Sequence, residues 1–189
     1  MIKLNEKVTD FQVTAYHGGE FRPVSLSDYR GQWVGVFFYP ADFTFVCPTE
    51  LGDMADHYAE FQKEGAEILS VSTDTHFTHL AWHESSPTIK KIQYPMLADP
   101  SGAVSRDFGV YIETGDDAGL AYRGTFLIDP DGVLKTVEIN DNGIGRAARE
   151  TLRKLKAAKF VRENGEVCPA NWEPGKASLK PGIELVGKL

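Results

Sequence analysis

Cysteine is scarce in this sequence, with two among 189 residues, at positions 47 and 168. Neither belongs to a Cys-x-x-Cys motif, because Cys47 is followed by Pro48, Thr49 and Glu50. Enzymes that exchange thiols for disulfides generally need that motif, so the spacing disfavours this class. In a reducing compartment, two isolated cysteines favour catalysis, metal binding or inert burial over a permanent structural disulfide.

Long apolar segments are also missing. No stretch approaches the roughly 20 consecutive apolar residues of a membrane span, and residues 1–7 lack the apolar core of a signal peptide. We therefore expect a cytoplasmic protein that has no membrane partner.

The excess of positive charge that nucleic-acid binding requires is absent. The formal net charge is −7 and the basic residues are dispersed, so no nucleic-acid partner is expected. The one mildly basic stretch, residues 146–162, has helical spacing and is interpreted as a solvated helix face. The sequence contains neither a phosphate-cradling glycine loop nor a dinucleotide fingerprint, so we expect no bound cofactor.

The sequence does contain a succession of short apolar runs that predict an α/β fold. Residues 11–15 and 21–26 flank a polar turn and predict an N-terminal β-hairpin. Residues 33–39 are continuously apolar and rich in β-branched and aromatic side chains, which predicts a strand buried on both faces. A helix over 48–63, with apolar residues three and four apart, and a strand over 67–72 complete a right-handed parallel crossover.

The remaining predicted elements extend the same sheet. They are a helix over 76–91, a strand over 94–98, a helix over 103–108, a hairpin of strands 125–128 and 133–139 around the turn 129–132, and a helix over 145–160. Together they predict a thioredoxin-like mixed sheet flanked by helices. We expect residues 1–160 to form the domain and residues 161–189, rich in Gly and Pro, to be an extended C-terminal tail of the same domain unit.

Cys47 lies where a thiol is most easily ionised. It follows a predicted strand and begins a predicted helix, with Pro48 in the first turn. The unpaired N–H groups and the positive end of the helix dipole favour a thiolate there, and the thiolate is the reactive form. Thr44, three residues earlier, can hydrogen-bond the sulfur or an oxygen bound beside it. Position alone leaves a buried, inert cysteine as an equal alternative.

Residues 40–50 read Pro-Ala-Asp-Phe-Thr-Phe-Val-Cys-Pro-Thr-Glu and resemble the active-site signature Pro-x-x-x-Thr-x-x-Cys of the peroxiredoxins. The extended form of this motif is typical of the two-cysteine class of that family. The likeness continues through residues 71–79, 82–83, 119–123 and 165–170, so it spans nearly the whole chain. Within the family, it is strongest to the bacterial alkyl hydroperoxide reductase branch.

The resemblance implies a role for each matching position. Cys47 would be the peroxidatic cysteine, Thr44 its hydroxyl partner and Pro40 the ring that shields the pocket. Arg123 would be the cation beside the thiolate, and Cys168 would resolve the oxidised sulfur. A guanidinium is physically suited to that place, because its planar donors can hold both peroxide oxygens as charge moves to the departing one. Without the motif, Arg123 would be interpreted as part of an ordinary surface ion pair.

Glu50 is a further candidate for the site. It falls three residues after Cys47 on the same predicted helix face, and it could orient Arg123 through a charge-assisted hydrogen bond. A carboxylate in the first turn of a helix is equally well explained by the helix dipole. Both interpretations stay open at this point.

The resemblance also implies a reaction and its partners. The Cys47 thiolate would reduce hydrogen peroxide or an organic hydroperoxide, and Cys168 of a second subunit would close an intersubunit disulfide. Electrons would come from a separate reductase, either an NADH-dependent flavoprotein disulfide reductase or thioredoxin. The homodimer would assemble into a decamer with residues 75–82 near the ring contact, although Phe77 and Trp82 could equally be core residues.

Three alternatives remain. His76, His79 and His83 could share a helix face and bind a transition metal, but no further ligand is suitably spaced, so we expect no metal. A thiol-disulfide exchanger would share the fold, and a holdase chaperone or structural ring would use the cysteines only to switch its assembly. Peroxide consumption separates these classes, because a chaperone consumes no stoichiometric peroxide and an exchanger should instead reduce insulin.

We predict that Cys47 resists overoxidation. Sensitive relatives carry a Gly-Gly-Leu-Gly segment and a C-terminal Tyr-Phe helix that hinder release of the tail. Here residues 142–145 are Asn-Gly-Ile-Gly, and residues 185–189 contain no Tyr-Phe. Mass spectrometry during steady turnover should therefore find little Cys47 sulfinic acid at modest peroxide excess. Accumulation of that species under those conditions would contradict the prediction.

Overall fold

The computed structural model describes residues 2–188. Met1, in the segment considered above for a signal peptide, and Leu189, the last residue of the predicted tail, lie outside the described residues. The chain divides into two compact units, the first ending at Ala148 and the second beginning at Arg149. Among the described residues, no helix combines the length and the apolar character that crossing a bilayer requires.

The first unit is built on one mixed sheet with the strand order β2-β1-β5-β4-β3-β6-β7. Its strands are β1 (Gln12–His17), β2 (Glu20–Ser25), β3 (Trp33–Phe38), β4 (Ala66–Ser72), β5 (Met96–Ala98), β6 (Arg123–Ile128) and β7 (Leu134–Asn140). The helices are α1 (Cys47–Lys63), α2 (His76–Ser85), α3 (Ala103–Asp107) and α4 (Ala148–Asn164). Helix α4 begins at the residue where the first unit ends.

Strand β3 is central to the sheet, and all six of its residues are buried. It pairs in parallel with β4 and antiparallel with β6. Gly35 permits this close packing, because a Cβ atom at that position would lie 2.9 Å from the side chain of Ile68 on β4. In the core, the ring of Phe38 packs against Phe108 and Phe126, with centroids 5.0 and 5.6 Å away.

The path of the chain from β3 to β4 positions the reactive helix. The chain leaves β3 at Phe38, passes through residues 39–46, enters α1 at Cys47 and returns into β4. The start of α1 therefore lies at the carboxyl edge of the parallel strands, which is the edge where ligands bind in open α/β sheets. The predicted strand, helix and strand are confirmed, and the helix begins one residue before the predicted position 48.

The predicted mixed sheet flanked by helices is confirmed, and so are both hairpins. The sequence predicts one parallel crossover, whereas the sheet contains two parallel pairs, because β4 also pairs with β5. Strand β5 begins at Met96 and not at residue 94. Pro95 has no N–H group to donate to a neighbouring strand, so it does not extend β5. The three residues of β5 are too few to show the alternation of polar and apolar side chains that identifies a strand in a sequence.

Helix α2 ends at Ser85, well before the predicted end at residue 91. Pro87 disfavours helical backbone in the residue before it, and Ser86 is accordingly extended, with φ −105° and ψ 119°. Residues Ile89–Lys91 then form a separate 3₁₀ turn. The prediction of one continuous helix was therefore wrong at its C-terminal end.

Helix α4 spans Ala148–Asn164, later than the predicted range 145–160. Gly165, with φ +67°, follows the last helical residue and permits the chain to leave the helix there. The segment that follows is not simply extended, since Val167 and Leu179 form an isolated β-bridge and Ile183–Leu185 form a 3₁₀ turn. A single bridge between distant positions leaves no periodic signal in the sequence.

Candidate active site

Cys47 is the first residue of α1 and has 0% of its surface exposed. Arg123, the first residue of β6, donates from Nη1 to the Cys47 sulfur at 3.5 Å. The two residues meet because β6 pairs with β3, the strand that leads towards Cys47. Arg123 also donates from Nε to the carbonyl oxygen of Asn142 at 2.9 Å, so its guanidinium is oriented from a second side. The structure thus places the predicted cation beside the predicted nucleophile.

A single buried carboxylate organises the cations near Cys47. Glu50 Oε2 accepts from Arg123 Nη1 at 2.7 Å and from Arg146 Nη2 at 3.0 Å. Its Oε1 accepts from the backbone N and the Nε of Arg146, at 2.7 and 2.9 Å. Of the two interpretations left open above, the geometry favours the one in which Glu50 orients Arg123.

The charges of this buried cluster do not cancel. Arg123 and Arg146 carry two positive charges and Glu50 carries one negative charge, so the three side chains sum to +1. A buried net charge is costly unless an anion compensates it. The charge of Glu138 also acts on Arg146, and the Cys47 sulfur, 3.5 Å from Arg123 Nη1, is a further group that can carry negative charge when it is ionised. The cluster therefore places a guanidinium donor directly at the Cys47 sulfur.

Arg146 is held by groups from the central strands of the sheet. Its Nη1 donates to the Thr125 hydroxyl at 3.0 Å, and its Nη2 donates to the carbonyl oxygen of Phe38 at 2.8 Å. Its Cζ lies 3.5 Å from the centroid of the Phe37 ring. Burial lowers the pKa of Arg146, and its hydrogen bonds to Glu50 offset part of that effect.

Arg146 is a member of the site that no pattern in the sequence indicates. The interpretation of residues 146–162 as a solvated helix face is wrong at its first residue, because Arg146 is only 6% exposed and precedes the start of α4. Its backbone N–H donates to Glu50, and the residue lies in the irregular segment just before the helix. Helical periodicity therefore gave no information about the direction of this side chain.

Pro40 and Thr44 belong to the loop of residues 40–46, which we call the active-site loop. Pro40 is buried where the loop begins. The Thr44 hydroxyl donates to the carbonyl oxygen of Ala41 at 2.8 Å, so its hydrogen is not directed at the Cys47 sulfur in this conformation. Its oxygen can still accept a hydrogen bond from a bound peroxide, and that role stays a prediction.

The three histidines of α2 make separate contacts. His79 is buried, and its Nδ1 lies 2.7 Å from Asp42 Oδ2. His76 packs on an aromatic ring of β2, and His83 Nδ1 lies 3.3 Å from the Tyr16 hydroxyl. Within residues 2–188, no group of three or more His, Cys, Asp or Glu side chains is placed to hold a metal ion. The geometry therefore gives the three-histidine alternative no support.

Cys168 lies in the second unit, where it is partly buried against α4. Its sulfur donates to the carbonyl oxygen of Ala157 at 3.7 Å. In the same unit, the rings of Phe160 and Trp172 pack against each other with centroids 4.7 Å apart. Burial raises the pKa of the Cys168 thiol, and the charge of Arg153 offsets part of that rise. Both cysteines are free thiols in this structure.

Two family models match the sequence. The model of the AhpC/TSA family matches residues 4–137, which include Cys47, Glu50 and Arg123. The model of the C-terminal domain of 1-Cys peroxiredoxin matches residues 157–184, which include Cys168. Together the two matches cover most of the chain and all six predicted site residues.

Known relatives match over the full length. The sequence is 54% identical over 190 residues to alkyl hydroperoxide reductase C of Salmonella typhimurium, and the match covers 100% of both chains. A crystal structure of AhpC from Enterococcus faecalis, 54% identical, superposes with a TM-score of 0.84 and covers 89% of this chain and 100% of that one. Reduced 2-Cys peroxiredoxin from Plasmodium vivax, 34% identical, gives a TM-score of 0.90 over 96% and 94% of the two chains.

Replacement of the shared carboxylate should destabilise the fold. Glu50→Gln leaves two buried guanidinium groups without their common anion, and breaking a buried ion pair from one side costs about 3–5 kcal/mol. We expect the free energy of unfolding of the reduced protein to fall by about that amount in urea denaturation at fixed protein concentration.

Glu113→Gln is the matched control, because Glu113 pairs with Arg106 at the surface. That exposed ion pair should contribute little, so the denaturation midpoint of Glu113→Gln should stay close to that of the parent protein. A Glu50→Gln protein as stable as this control would show that the buried cluster does not depend on its carboxylate.

Proposed function

This chain belongs to the AhpC/TSA family, the peroxiredoxins, and we propose that its thiol-dependent reduction of hydroperoxides takes place at Cys47. The observation that carries this assignment is the buried cluster with a charge of +1 whose Arg123 donates to the Cys47 sulfur. Such a cluster stabilises a thiolate and also the negative charge that leaves with the departing peroxide oxygen.

In the first step, the Cys47 thiolate attacks the nearer oxygen of the hydroperoxide. An S–O bond forms and the O–O bond breaks, and the departing oxygen takes up a proton and leaves as water or an alcohol. Cys47 becomes a sulfenic acid. Arg123 holds the peroxide oxygens, and Glu50 orients that guanidinium. Pro40 shields the pocket, and the Thr44 hydroxyl oxygen accepts a hydrogen bond from the bound peroxide.

In the second step, the Cys168 thiolate of a second subunit attacks the sulfenic sulfur. The S–O bond breaks, the oxygen leaves as water, and an intersubunit disulfide forms. Because Cys47 is fully buried and a disulfide requires Cα atoms within about 7 Å of each other, the active-site loop must open first. Two electrons from a separate reductase then return both cysteines to thiols.

The proposed partners include that reductase and further copies of the chain. We infer a cytoplasmic enzyme that takes electrons from an NADH-dependent flavoprotein disulfide reductase or from thioredoxin. Assembly of homodimers into a decamer is supported by the exposed aromatic side chains near the site, since Phe45 is 91% exposed and Phe77 is 64% exposed. Trp82 is buried and is therefore a core residue of the subunit.

Stopped-flow measurement of sulfenate formation tests the proposed role of Cys47. The reduced protein should show a fast phase on mixing with hydrogen peroxide, and Cys47→Ser should abolish it because serine is no nucleophile at neutral pH. Cys168→Ser should keep the fast phase and lose only the later formation of the disulfide. A fast phase that survives Cys47→Ser would refute the assignment.

Two further assays separate the alternative functions. Insulin reduction without peroxide consumption would identify a disulfide exchanger, and suppression of protein aggregation without peroxide consumption would identify a chaperone. Stoichiometric loss of hydrogen peroxide by the purified, reduced protein supports the peroxidase alone.

The second step should accelerate as the pH rises. Because burial raises the pKa of Cys168, the neutral thiol predominates at pH 7, and the thiolate fraction grows about tenfold per pH unit until that pKa is reached. In single-turnover experiments, the rate of disulfide formation should rise accordingly between about pH 6 and 8. Arg153→Met removes a charge that favours the thiolate, so it should slow this phase at fixed pH. A rate that does not vary with pH would contradict the role of Cys168.

A further inference from the structure

A second buried polar cluster contacts the active-site loop and takes no part in the proposed chemistry. At its centre, Asp42 Oδ1 accepts from the Tyr39 hydroxyl at 2.7 Å, and Asp42 Oδ2 lies 2.7 Å from His79 Nδ1. The backbone N–H of Asp42 donates to Asp74 Oδ2 at 2.8 Å. The loop is therefore bound at Asp42 through both its side chain and its backbone.

The contacts of His79 determine how many protons the Asp42–His79 pair holds. Its Nε2 lies 3.1 Å from the carbonyl oxygen of Leu97, which can only accept, so Nε2 carries a hydrogen. One further hydrogen must lie between Nδ1 and the carboxylate, on either the imidazole or the acid. Both arrangements leave the pair with no net charge, as suits two side chains with 0% exposure.

The protonation of the neighbouring groups agrees with this arrangement. Burial raises the pKa of the Asp42 carboxyl, and its hydrogen bond to His79 offsets part of that effect. Burial also raises the pKa of Tyr39 well above its usual value, so its hydroxyl remains a donor to Asp42. The cluster is thus fully hydrogen-bonded in one protonation state.

The pair connects the loop to two elements that are distant from it in the sequence. His79 belongs to α2, and its second nitrogen is bound to β5 through Leu97. The next loop residue, Phe43, has φ +57°, a left-handed conformation that is costly for an aromatic residue. Contacts around Phe43 must offset that cost. The hydrogen bonds of Asp42 are made by the residue directly before Phe43.

We propose that Asp42 and His79 are a positioning pair that keeps the active-site loop closed and so determines how much oxidised Cys47 proceeds to the disulfide. This inference rests on the proposed function, because Cys168 can reach the buried sulfur only after the loop opens. While the loop is closed, a second hydroperoxide can transfer an oxygen atom to the sulfenate, forming a sulfinate and leaving as water or an alcohol. Weakening the pair therefore favours the disulfide over the sulfinate.

Hydrogen exchange of the reduced protein tests the pair without any peroxide. His79→Ala removes both imidazole contacts and leaves the Asp42 carboxylate buried beside Tyr39. Removing the hydrogen-bond partner of a buried polar group changes a local opening equilibrium by about 10-fold or more. We expect amides in residues 42–50 to exchange faster by that factor, with the exchange of β6 and β7 unchanged. Loop exchange equal to that of the parent protein overturns the inference.

Two variants make the exchange experiment decisive. His83→Ala is the matched control, because His83 lies one turn further along α2 and contacts Tyr16 instead of the loop; its loop exchange should match that of the parent protein. Tyr39→Phe keeps the ring and removes one donor to Asp42, so it tests the cluster if the alanine variant at position 79 does not fold. A loop in Tyr39→Phe as protected as in the parent protein also overturns the inference.

The fate of oxidised Cys47 provides the functional readout. Intact-mass measurement after large excesses of hydrogen peroxide should show the ratio of sulfinate to disulfide falling about 10-fold in His79→Ala, in step with loop opening, and unchanged in His83→Ala. An unchanged ratio in His79→Ala, together with faster loop exchange, overturns the link to disulfide formation. If Cys47 of the parent protein does not react with peroxide, the proposed function fails, and the exchange result still decides whether the pair holds the loop.

Discussion

The Glu50 carboxylate is the constraint on which the arrangement of the site depends. It lies in the first turn of α1 and binds one arginine from β6 and another from the segment just before α4. Two buried guanidinium groups repel each other unless an anion lies between them, so this carboxylate allows both to share the protein interior. The charges of these three side chains sum to +1, and Arg123 donates to the Cys47 sulfur. The same hydrogen bonds thus hold the buried charges together and orient Arg123 towards the sulfur of Cys47, the proposed nucleophile.

Two physical effects would act on an ionised sulfur at position 47 in the proposed mechanism, and their sizes differ. The start of a helix contributes about 0.3–1 kcal/mol to a nearby negative charge, rising to about 2 kcal/mol in buried geometries. A guanidinium 3.5 Å from a thiolate attracts it with an energy on the order of 5 kcal/mol at an effective dielectric constant of 20. The attraction to the arginine is the larger of the two before the opposing charge of Glu50, which binds the same guanidinium at 2.7 Å, is counted. The helix start provides a place where the sulfur can lie beside Arg123.

The active-site loop lies between two buried networks with different roles. The Glu50 cluster acts on Cys47 at the end of the loop, and the Asp42–His79 pair binds the middle of the loop to α2 and β5. In the proposed mechanism, attack on a peroxide requires the closed loop, in which Cys47 is buried beside Arg123, whereas formation of the disulfide requires the loop to open. The stability of the closed loop is therefore a compromise between reactivity towards peroxide and release of the oxidised sulfur.

Local patterns were enough to predict the hairpins, the buried strand β3 and the amphipathic helix α1, because hydrophobic period and turn residues express those elements directly. Cys47, Thr44 and Arg123 were found through resemblance to a known signature, since position at a helix start alone does not distinguish a reactive cysteine from an inert one. Arg146 could not be found, because it precedes α4 and follows no helical period. The pairing of β5 with β4 and the contact of Asp42 with His79 were equally hidden. These contacts join residues that are far apart in the chain. The order and register of the strands bring them together, and both depend on the packing of the whole sheet.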